Sequence, residues 1–266
     1  MGLPYTFDTA VSEVETGVSP YISTRPQQFP VIVTPRPHTT DVACADADAA
    51  RVSPDVSRQG AATRAPMAWR VIEIVIAASM LLLCAPILLL TALIIRRGTP
   101  GPAIFFQRRI GLNREPFNFV KFRTLYADAR ERFPELYAYR YSPGELRALK
   151  FKVERDPRVT PQGQWLRRST LDELPNFWCV ITGKMALVGP RPEIPEMLPY
   201  YRGEMLLKFT VRPGITGLAQ ISGRGRLGFH ETVAYDVEYA RRRSLALDLK
   251  ILFKTLTKIV TRDGAF

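Results

Sequence analysis

The segment RRSTLDELPNFWCVITGKMALVGPRP, residues 167–192, is the most informative part of this chain. It places an adjacent acidic pair, Asp172 and Glu173, between the basic pair at residues 167–168 and a Gly-Pro-Arg-Pro run that contains Arg191. One carboxylate can attack phosphorus, the other can hold a divalent cation, and arginines can neutralise phosphate oxygens. The segment therefore predicts a site for phosphoryl transfer.

The same residues also fit an ordinary helix start. Ser169, Thr170 or Asp172 would then cap the helix, Pro175 would lie in its first turn, and the charges would be solvated. Clustered charge marks a functional site only in some proteins. The remainder of the chain has to decide between the two interpretations.

The sequence around this segment predicts a compact, irregular α+β unit over residues 98–266. Helical segments and many Gly and Pro residues separate short strand-like runs, which are Ile104–Phe106, Phe117–Phe122, Ala186–Val188 and Leu218–Ile221. A basic amphipathic helix is expected from about Ser244 to Val260, with one apolar face formed by Leu245, Leu249, Leu252, Phe253, Leu256, Ile259 and Val260. We expect this face to pack on the protein core, with the membrane interface as the rival location.

Charge and composition separate the two ends of the chain. The 266 residues carry a net charge of +12, and the positive charge belongs to residues 66–266. A basic surface suits nucleic acid, anionic lipid or a phosphorylated substrate. Residues 1–65 are rich in proline and small polar residues and contain no lysine, so we predict a disordered tail there.

Cysteine and histidine usage excludes several chemistries. The chain has three cysteines without metal-ligand spacing and only two histidines. A disulfide framework, a Ser-His-Asp triad and a His-rich zinc site are therefore not expected.

An apolar run of 25 residues extends from Val71 to Ile95, with Glu73 near its start. A straight helix of that length would reach roughly 37 Å, enough to span a bilayer. Arginines flank both ends, although a spanning helix has its basic excess on the cytoplasmic side only. Pro86 lies near the middle and would bend the helix. The residues alone leave a re-entrant hairpin and a spanning helix both open.

Several motifs taken in order resemble the bacterial sugar transferase family, the monotopic phosphoglycosyl transferases that start glycan assembly on a polyprenyl phosphate. The matching motifs are Gly101–Gln107, Arg109–Gly111, Phe117–Thr124, Leu171–Pro175, Val188–Pro192, Pro213–Gly217 and Gly223-Arg224. The resemblance covers roughly residues 67–262. It implies an enzyme that moves a sugar 1-phosphate, with a hexose as the expected sugar, from a UDP-sugar to undecaprenyl phosphate in exopolysaccharide or glycan synthesis.

The resemblance also implies roles for individual residues. Asp172 would be the nucleophile that forms a phosphosugar-aspartyl intermediate, and Glu173 would help to bind Mg²⁺. Arg167 and Arg191 would neutralise phosphate charge, and Lys121 and Arg123 are further candidates for phosphate contacts. Cys179, Lys184 and Ala186 depart from the residues that are usual in the family.

For the membrane segment, the resemblance implies a re-entrant helix-break-helix over residues 66–97, with the break at Ala85 and Pro86. The catalytic domain, residues 98–266, would then lie on the cytoplasmic face of the bacterial inner membrane. The alternative function is a non-catalytic scaffold of a polysaccharide assembly complex, which the intact acidic pair disfavours. No nucleic-acid-binding motif is present, so nucleic acid is not an expected partner. A homo-oligomer is left open.

Overall fold

The computed structural model describes residues 66–149, 156–223 and 226–261. The predicted tail, residues 1–65, and Arg224 lie outside this range. The strands are β1 Ile104–Ile110, β2 Pro116–Phe122, β3 Ala186–Val188 and β4 Gly214–Thr216. The helices are α1 Met67–Leu83, α2 Ala85–Gly98, α3 Ala129–Arg132, α4 Pro143–Ala148, α5 Pro161–Ser169, α6 Phe177–Ile181, α7 Leu218–Gly223, α8 Phe229–Arg242 and α9 Leu245–Val260. Short 3-10 segments span Leu112–Arg114, Pro134–Tyr137, Leu171–Asn176, Pro195–Tyr200 and Gly203–Thr210.

The apolar run forms two helices rather than one. Helices α1 and α2 are bent by 58° relative to each other, with Cys84 between them. Pro86 lies in the first turn of α2, where its missing N–H costs no helical bond, while its ring disfavours continuation of the preceding turn. The predicted interruption is thereby confirmed. In the described ranges no single helix is long and apolar enough to cross a membrane, and only this bent pair satisfies both criteria together.

Two small sheets confirm the α+β class. Strands β1 and β2 form an antiparallel hairpin that pairs Ile104 with Phe122 and Ile110 with Pro116. Strands β3 and β4 pair in parallel, Ala186 opposite Gly214 and Val188 opposite Thr216. The strand expected over Leu218–Ile221 is wrong, because this run begins helix α7. Four residues are too few for periodicity to separate a strand from a buried helical turn.

Among the residues that the structure describes, the core contains two apolar clusters. The larger cluster gathers side chains from across the chain, including Ala77 of α1, Phe119 of β2, Val180 of α6, Phe229 of α8 and Ile251 of α9. The smaller cluster joins α2 to α5 through Ile95, Phe122 and Leu166. Each half of the bent pair is therefore packed onto a different part of the domain.

Helix α9 does not bury the face that its sequence suggests. Leu245, Leu249, Phe253 and Leu256 are exposed, and Phe253 retains 69% of its accessible surface. The expected packing of these four residues on the core is therefore wrong. The buried side of α9 instead contains Ile251 and Asp248, whose Oδ1 accepts a 2.7 Å hydrogen bond from the Tyr239 hydroxyl. A polar residue can occupy a core position when its hydrogen bonds are satisfied there, which apolar periodicity does not anticipate.

Candidate active site

Asp172 and Glu173 lie on the 3-10 turn Leu171–Asn176, directly after α5. Helix α5 ends at Ser169, and the following residue, Thr170, has a φ of 58°, which puts a β-branched side chain in the left-handed region. Such a conformation costs on the order of 1–3 kcal/mol and occurs most often at functional sites. The capping expected from an ordinary helix start is not observed, because Thr170 makes no side-chain cap and the Ser169 hydroxyl donates to the Leu166 carbonyl at 3.1 Å.

The α5 helix approaches the end of β2 very closely. A Cβ on Gly163 would lie 2.0 Å from the carbonyl oxygen of Thr124, so only glycine fits at this position. The approach is reinforced by the cap of α5, where Thr160 Oγ1 accepts a 2.9 Å hydrogen bond from the Gly163 N–H. This contact brings the acidic turn and the β1–β2 hairpin together.

The two carboxylates of the acidic pair have different electrostatic environments. Burial and the adjacent charge of Glu173 raise the pKa of Asp172 to about 6. Burial alone would also raise the pKa of Glu173, but the charge of Arg191 and a hydrogen bond from it lower that pKa below its usual value. Arg191 Nη2 lies 2.6 Å from Glu173 Oε1. Near neutral pH, both groups are charged, and Asp172 is the one that takes up a proton more readily.

Arg191 is supplied by the loop that follows β3. Gly189 lies at the end of this strand, and a Cβ there would lie 2.2 Å from the carbonyl oxygen of Arg212. The Gly189 N–H donates to Thr216 at 2.8 Å, which anchors the loop to β4. The loop therefore leaves the β3–β4 pair at a defined point and carries Arg191 to Glu173.

Lys121 contributes a second cation from the β1–β2 hairpin. It pairs with Phe105 across the hairpin, and its Nζ lies 5.7 Å from the centre of that ring. Burial and the charge of Arg109 lower the pKa of Lys121 to about 8, while the charge of Asp172 opposes this shift. Lys121 is therefore close enough to the acidic pair to influence it electrostatically.

Arg109 belongs to the same group, although the sequence analysis did not select it as a site residue. Its Nη1 donates to the Pro192 carbonyl at 3.0 Å, and its guanidinium lies 5.5 Å from the centre of the Phe119 ring. Burial and the charge of Arg191 lower the pKa of Arg109 to about 10. Strand alternation was the available signal, since Arg109 lies four residues after Phe105, the partner of Lys121, and hence on the same face.

Arg167, a further predicted cation, approaches the acidic pair from α5. Its Nε donates to Thr124 Oγ1 at 3.3 Å, and its Nη1 lies 3.5 Å from Asp156 Oδ2. The positive charge of Arg167 acts to lower the pKa of Asp172, in the same direction as Lys121 and Arg191. Lys121, Arg167 and Arg191 therefore all act electrostatically on Asp172, and their contacts with a substrate phosphate stay a prediction.

Arg123 was also predicted to contact phosphate, but its guanidinium binds backbone carbonyls away from the acidic pair. Its guanidinium is buried and donates to the carbonyl of Pro100 and, at 2.9 Å, to the carbonyl of Thr99, just after α2. Strand β2 ends at Phe122, so the alternation that puts Lys121 in the site does not extend to Arg123. These contacts assign Arg123 to holding the end of α2 and give no support to a phosphate contact.

A buried charge cluster lies behind Arg191, and the sequence analysis did not identify it. Glu193 accepts hydrogen bonds from the Tyr201 hydroxyl at 2.6 Å and from Lys208 Nζ at 3.4 Å. Lys208 also lies 3.1 Å from Asp236, whose pKa burial raises to about 6. The backbone carbonyl of Glu193 accepts the Ile110 N–H at 2.7 Å. The cluster therefore ties the loop that bears Arg191 to the end of β1.

The acidic pair has the composition expected for a magnesium site that the substrate completes. Within the described ranges, no three Asp, Glu, His or Cys side chains are grouped closely enough to hold a metal ion by themselves. Magnesium is usually bound by one or two carboxylates together with substrate phosphates and water. Glu173, with 30% of its side chain exposed and Arg191 on one oxygen, fits that mode of binding.

Cys179, Lys184 and Ala186, which depart from the pattern that the resemblance implies, lie outside the polar contacts that the acidic pair makes. Cys179 is buried and its thiol donates weakly to the Asn118 carbonyl at 3.5 Å. Ala186 is buried in β3, and Lys184 is exposed in the turn before it. The structure gives no reason for these three substitutions.

Comparison with known proteins gives matches over the greater part of the chain. The family model described as "Bacterial sugar transferase" matches residues 64–262. An exopolysaccharide production protein, ExoY, of Rhizobium meliloti is 37% identical over 203 residues, which cover 75% of this chain and 88% of the relative. A UDP-glucose:undecaprenyl-phosphate glucose-1-phosphate transferase of Caulobacter vibrioides is 39% identical over 207 residues, which cover 74% and 71% of the two chains.

Other relatives are much longer than this chain. An undecaprenyl-phosphate galactose phosphotransferase of Salmonella typhimurium is 35% identical over 198 residues, which cover 74% of this chain but 41% of the relative. The similarity thus spans about two fifths of some relatives and most of others.

Proposed function

Because this chain belongs to the bacterial sugar transferase family, we propose that it transfers a sugar 1-phosphate from a UDP-sugar to undecaprenyl phosphate in exopolysaccharide or glycan synthesis. Relatives are named for glucose and for galactose, which favours a hexose as the sugar. The observation that supports the proposal most strongly is the acidic pair Asp172-Glu173 among the cations Lys121, Arg109, Arg167 and Arg191.

In the first half of the reaction, an Asp172 carboxylate oxygen attacks the β-phosphorus of the UDP-sugar. An oxygen–phosphorus bond forms to Asp172, the bond from the β-phosphorus to the bridging oxygen breaks, and UMP leaves with that electron pair. Asp172 suits this role because its raised pKa gives a more basic, and hence more nucleophilic, carboxylate than an ordinary aspartate. It is still ionised in most molecules near neutral pH.

In the second half, a phosphate oxygen of undecaprenyl phosphate attacks the same phosphorus. The bond to Asp172 breaks, and the carboxylate is regenerated as the sugar diphosphate lipid forms. Both steps bring anions together, so neutralisation of phosphate charge has to supply much of the rate. Arg191, Lys121 and Arg167 provide positive charge from three separate elements around Asp172.

Glu173 is the residue that would hold Mg²⁺, with the substrate phosphates as its other ligands. When bound, Mg²⁺ would supply further neutralisation of the diphosphate. Before Mg²⁺ binds, Arg191 lowers the pKa of Glu173 and so keeps its carboxylate ionised. An ionised carboxylate is a good oxygen ligand for a hard cation.

Membrane attachment would let the enzyme meet both substrates, because the acceptor phosphate lies at the headgroup level and the UDP-sugar is soluble. We propose that α1 and α2 enter one leaflet and return, with both ends on the cytoplasmic face of the inner membrane. In support, they expose large apolar side chains along both helices, including Val75, Leu82, Leu89 and Leu90. The exposed stripe on α9, Leu245, Leu249, Phe253 and Leu256, would lie in the same interface.

The test is a UMP-release assay with the full chain, undecaprenyl phosphate and a panel of UDP-sugars. We expect release with a UDP-hexose that requires both the lipid and Mg²⁺ for repeated turnover. Asp128→Asn is a matched control, because Asp128 is a half-exposed aspartate that pairs with Arg132 outside the site. Absence of UMP release with every UDP-sugar would leave the scaffold as the better interpretation.

A further inference from the structure

Glu73 is the single charged residue of the apolar run Val71–Ile95, and the proposed reaction does not use it. It retains 2% of its accessible surface, whereas its neighbours Val71, Ile72, Val75 and Ile76 are exposed. An ionisable residue within a membrane-directed helix is unusual and commonly has a specific role. Here the carboxylate points into the protein, away from the exposed apolar side of α1.

Glu73 and its neighbour Arg70 both form hydrogen bonds with the backbone of one segment. Glu73 Oε1 accepts a 3.0 Å hydrogen bond from the Leu187 N–H, and Glu73 Oε2 lies 2.8 Å from Arg70 Nη1. Arg70 in turn donates to the Met185 carbonyl at 3.1 Å and to the Val180 carbonyl. One ion pair on α1 therefore satisfies one donor and two acceptors of the backbone between residues 180 and 187.

This backbone connects the two halves of the active site. Residues 177–181 form α6, directly after the turn that bears Asp172 and Glu173, and β3 leads through Gly189 to Arg191. Strand β3 pairs with β4 through Ala186 and Val188. The Leu187 amide alternates with them and points to the opposite edge, where Glu73 is its acceptor. Thus β4 holds one edge of β3, and α1 holds the other.

We propose that Glu73 and Arg70 are positioning residues that couple the bent helix pair to the active site by setting the placement of Arg191 relative to Asp172 and Glu173. This inference rests on the proposed function for its kinetic consequences. In this arrangement the ion pair on α1 orients the connecting backbone, so the bent helix pair is part of the catalytic framework as well as an anchor.

A purely structural role makes a different prediction, which allows a sharp test. Removing one partner of a buried ion pair leaves a buried charge unpaired and destabilises a protein, whereas replacing both partners by apolar residues is often neutral or stabilising. The double variant Arg70→Leu/Glu73→Leu leaves no unpaired charge, but the Leu187 N–H and the Met185 carbonyl lose their side-chain partners, so we expect it to fold with a moderately lowered melting temperature. If the pair only stabilises the fold, this variant should retain its activity.

We expect instead that the folded double variant loses about 10- to 100-fold in kcat, since displacing a catalytic group by about 1 Å has effects of that size. The loss should appear equally in kcat and kcat/KM for the UDP-sugar, as for an interaction made in the transition state. Glu73→Gln should lose less, because its amide oxygen can still accept from the Leu187 N–H. Ser79→Leu, an exposed change in the same helix, should keep wild-type kinetics.

Hydrogen exchange gives a second readout that does not depend on turnover. In Glu73→Gln and in the double variant, amides of residues 182–192 should exchange faster than in the wild type, while those of β2 should not change. If the wild-type protein releases no UMP with any UDP-sugar, only the proposed function is refuted. Hydrogen exchange of residues 182–192 would still test whether Glu73 and Arg70 position this segment. Unchanged exchange in residues 182–192, or a folded double variant with wild-type kcat, would overturn the inference. Should the double variant not fold, Glu73→Gln is judged by the same two readouts.

Discussion

Arg191 lies 2.6 Å from Glu173, and this contact distinguishes two carboxylates that are adjacent in sequence. Both side chains are partly exposed, at 46% and 30%, so the pair contributes only about 0–1 kcal/mol to stability. Its main effect is electrostatic, because it lowers the pKa of Glu173 while that of Asp172 is raised to about 6. Adjacent acids with pKa values driven apart are typical of sites where the two groups have separate roles.

Replacement of the proposed nucleophile should stop the reaction at its first step. Asp172→Asn removes the attacking charge at nearly constant shape, so we expect loss of UMP release by at least about 10³-fold, as for other essential nucleophiles. Wild-type protein incubated with UDP-sugar labelled in the sugar, without lipid, should retain label, and the variant should not. Intersecting rather than parallel double-reciprocal lines, with no retained label in the wild type, would favour direct transfer between the substrates.

The pH dependence of kcat/KM should be bell-shaped. Below a pH of about 6 the Asp172 carboxylate becomes protonated and cannot attack, so activity should fall as the pH decreases through that value. Above about 8 Lys121 loses its positive charge, so activity should fall again as the pH rises. Lys121→Arg should move the alkaline limb to higher pH and leave the acid limb in place. An unchanged alkaline limb in that variant would remove Lys121 from the titration.

Glu173→Gln should weaken the response to magnesium. An amide oxygen is a poorer ligand for a hard cation than a carboxylate, so half-maximal activity should need about 10-fold more Mg²⁺. Titration of chelator-treated protein measures this shift, and Glu115→Gln, an exposed glutamate near the hairpin turn, is the matched control. A magnesium titration identical to that of the wild type would show that Glu173 is not a ligand.

The bent helix pair makes a topological prediction. Single cysteines at Met67 and Pro100, in a chain without native cysteines, should both resist an impermeant thiol reagent in intact cells. Pro86→Leu should restore a continuous apolar helix, because the ring that disfavours the preceding turn is gone. The cysteine at Met67 should then become labelled in part of the population. Labelling of that cysteine in the presence of Pro86 would reveal a spanning helix and contradict the re-entrant arrangement.

The exposed stripe of α9 should contact lipid. An environment-sensitive fluorophore on Phe253→Cys, in the chain without native cysteines, should shift its emission to the blue when the protein is placed in vesicles containing phosphatidylglycerol. Phe253 is 69% exposed in the structure, and burial of such a side chain is worth about 1.5–3 kcal/mol. The same probe on Lys254→Cys, which faces another direction on the helix, should shift less. Equal, water-like emission from both sites would exclude the interfacial location.

Residues close together in the sequence allowed the strongest predictions. Asp172 and Glu173 are neighbours in the chain and therefore lie close together in any fold. A proline such as Pro86 interrupts a long helix through its own ring and missing N–H. Short strand-like runs among turn-forming Gly and Pro residues were enough to identify β1, β2 and β3. The α+β class follows from those strands and the helical segments between them.

The assembly of the site required tertiary contacts that no local pattern contains. Arg123 turned out to hold the end of α2, because β2 stops one residue before it, and Arg109 entered the site through its strand register. Sequence periodicity defined α9 as amphipathic, but only the satisfied hydrogen bond between Asp248 and Tyr239 decided which side of that helix is buried. In the sequence, Glu73 only interrupts an apolar run. The structure shows that it accepts a hydrogen bond from the Leu187 N–H, 114 residues away. Local sequence determines which elements form, whereas the direction of each long polar side chain depends on partners that only the folded chain brings within hydrogen-bonding distance.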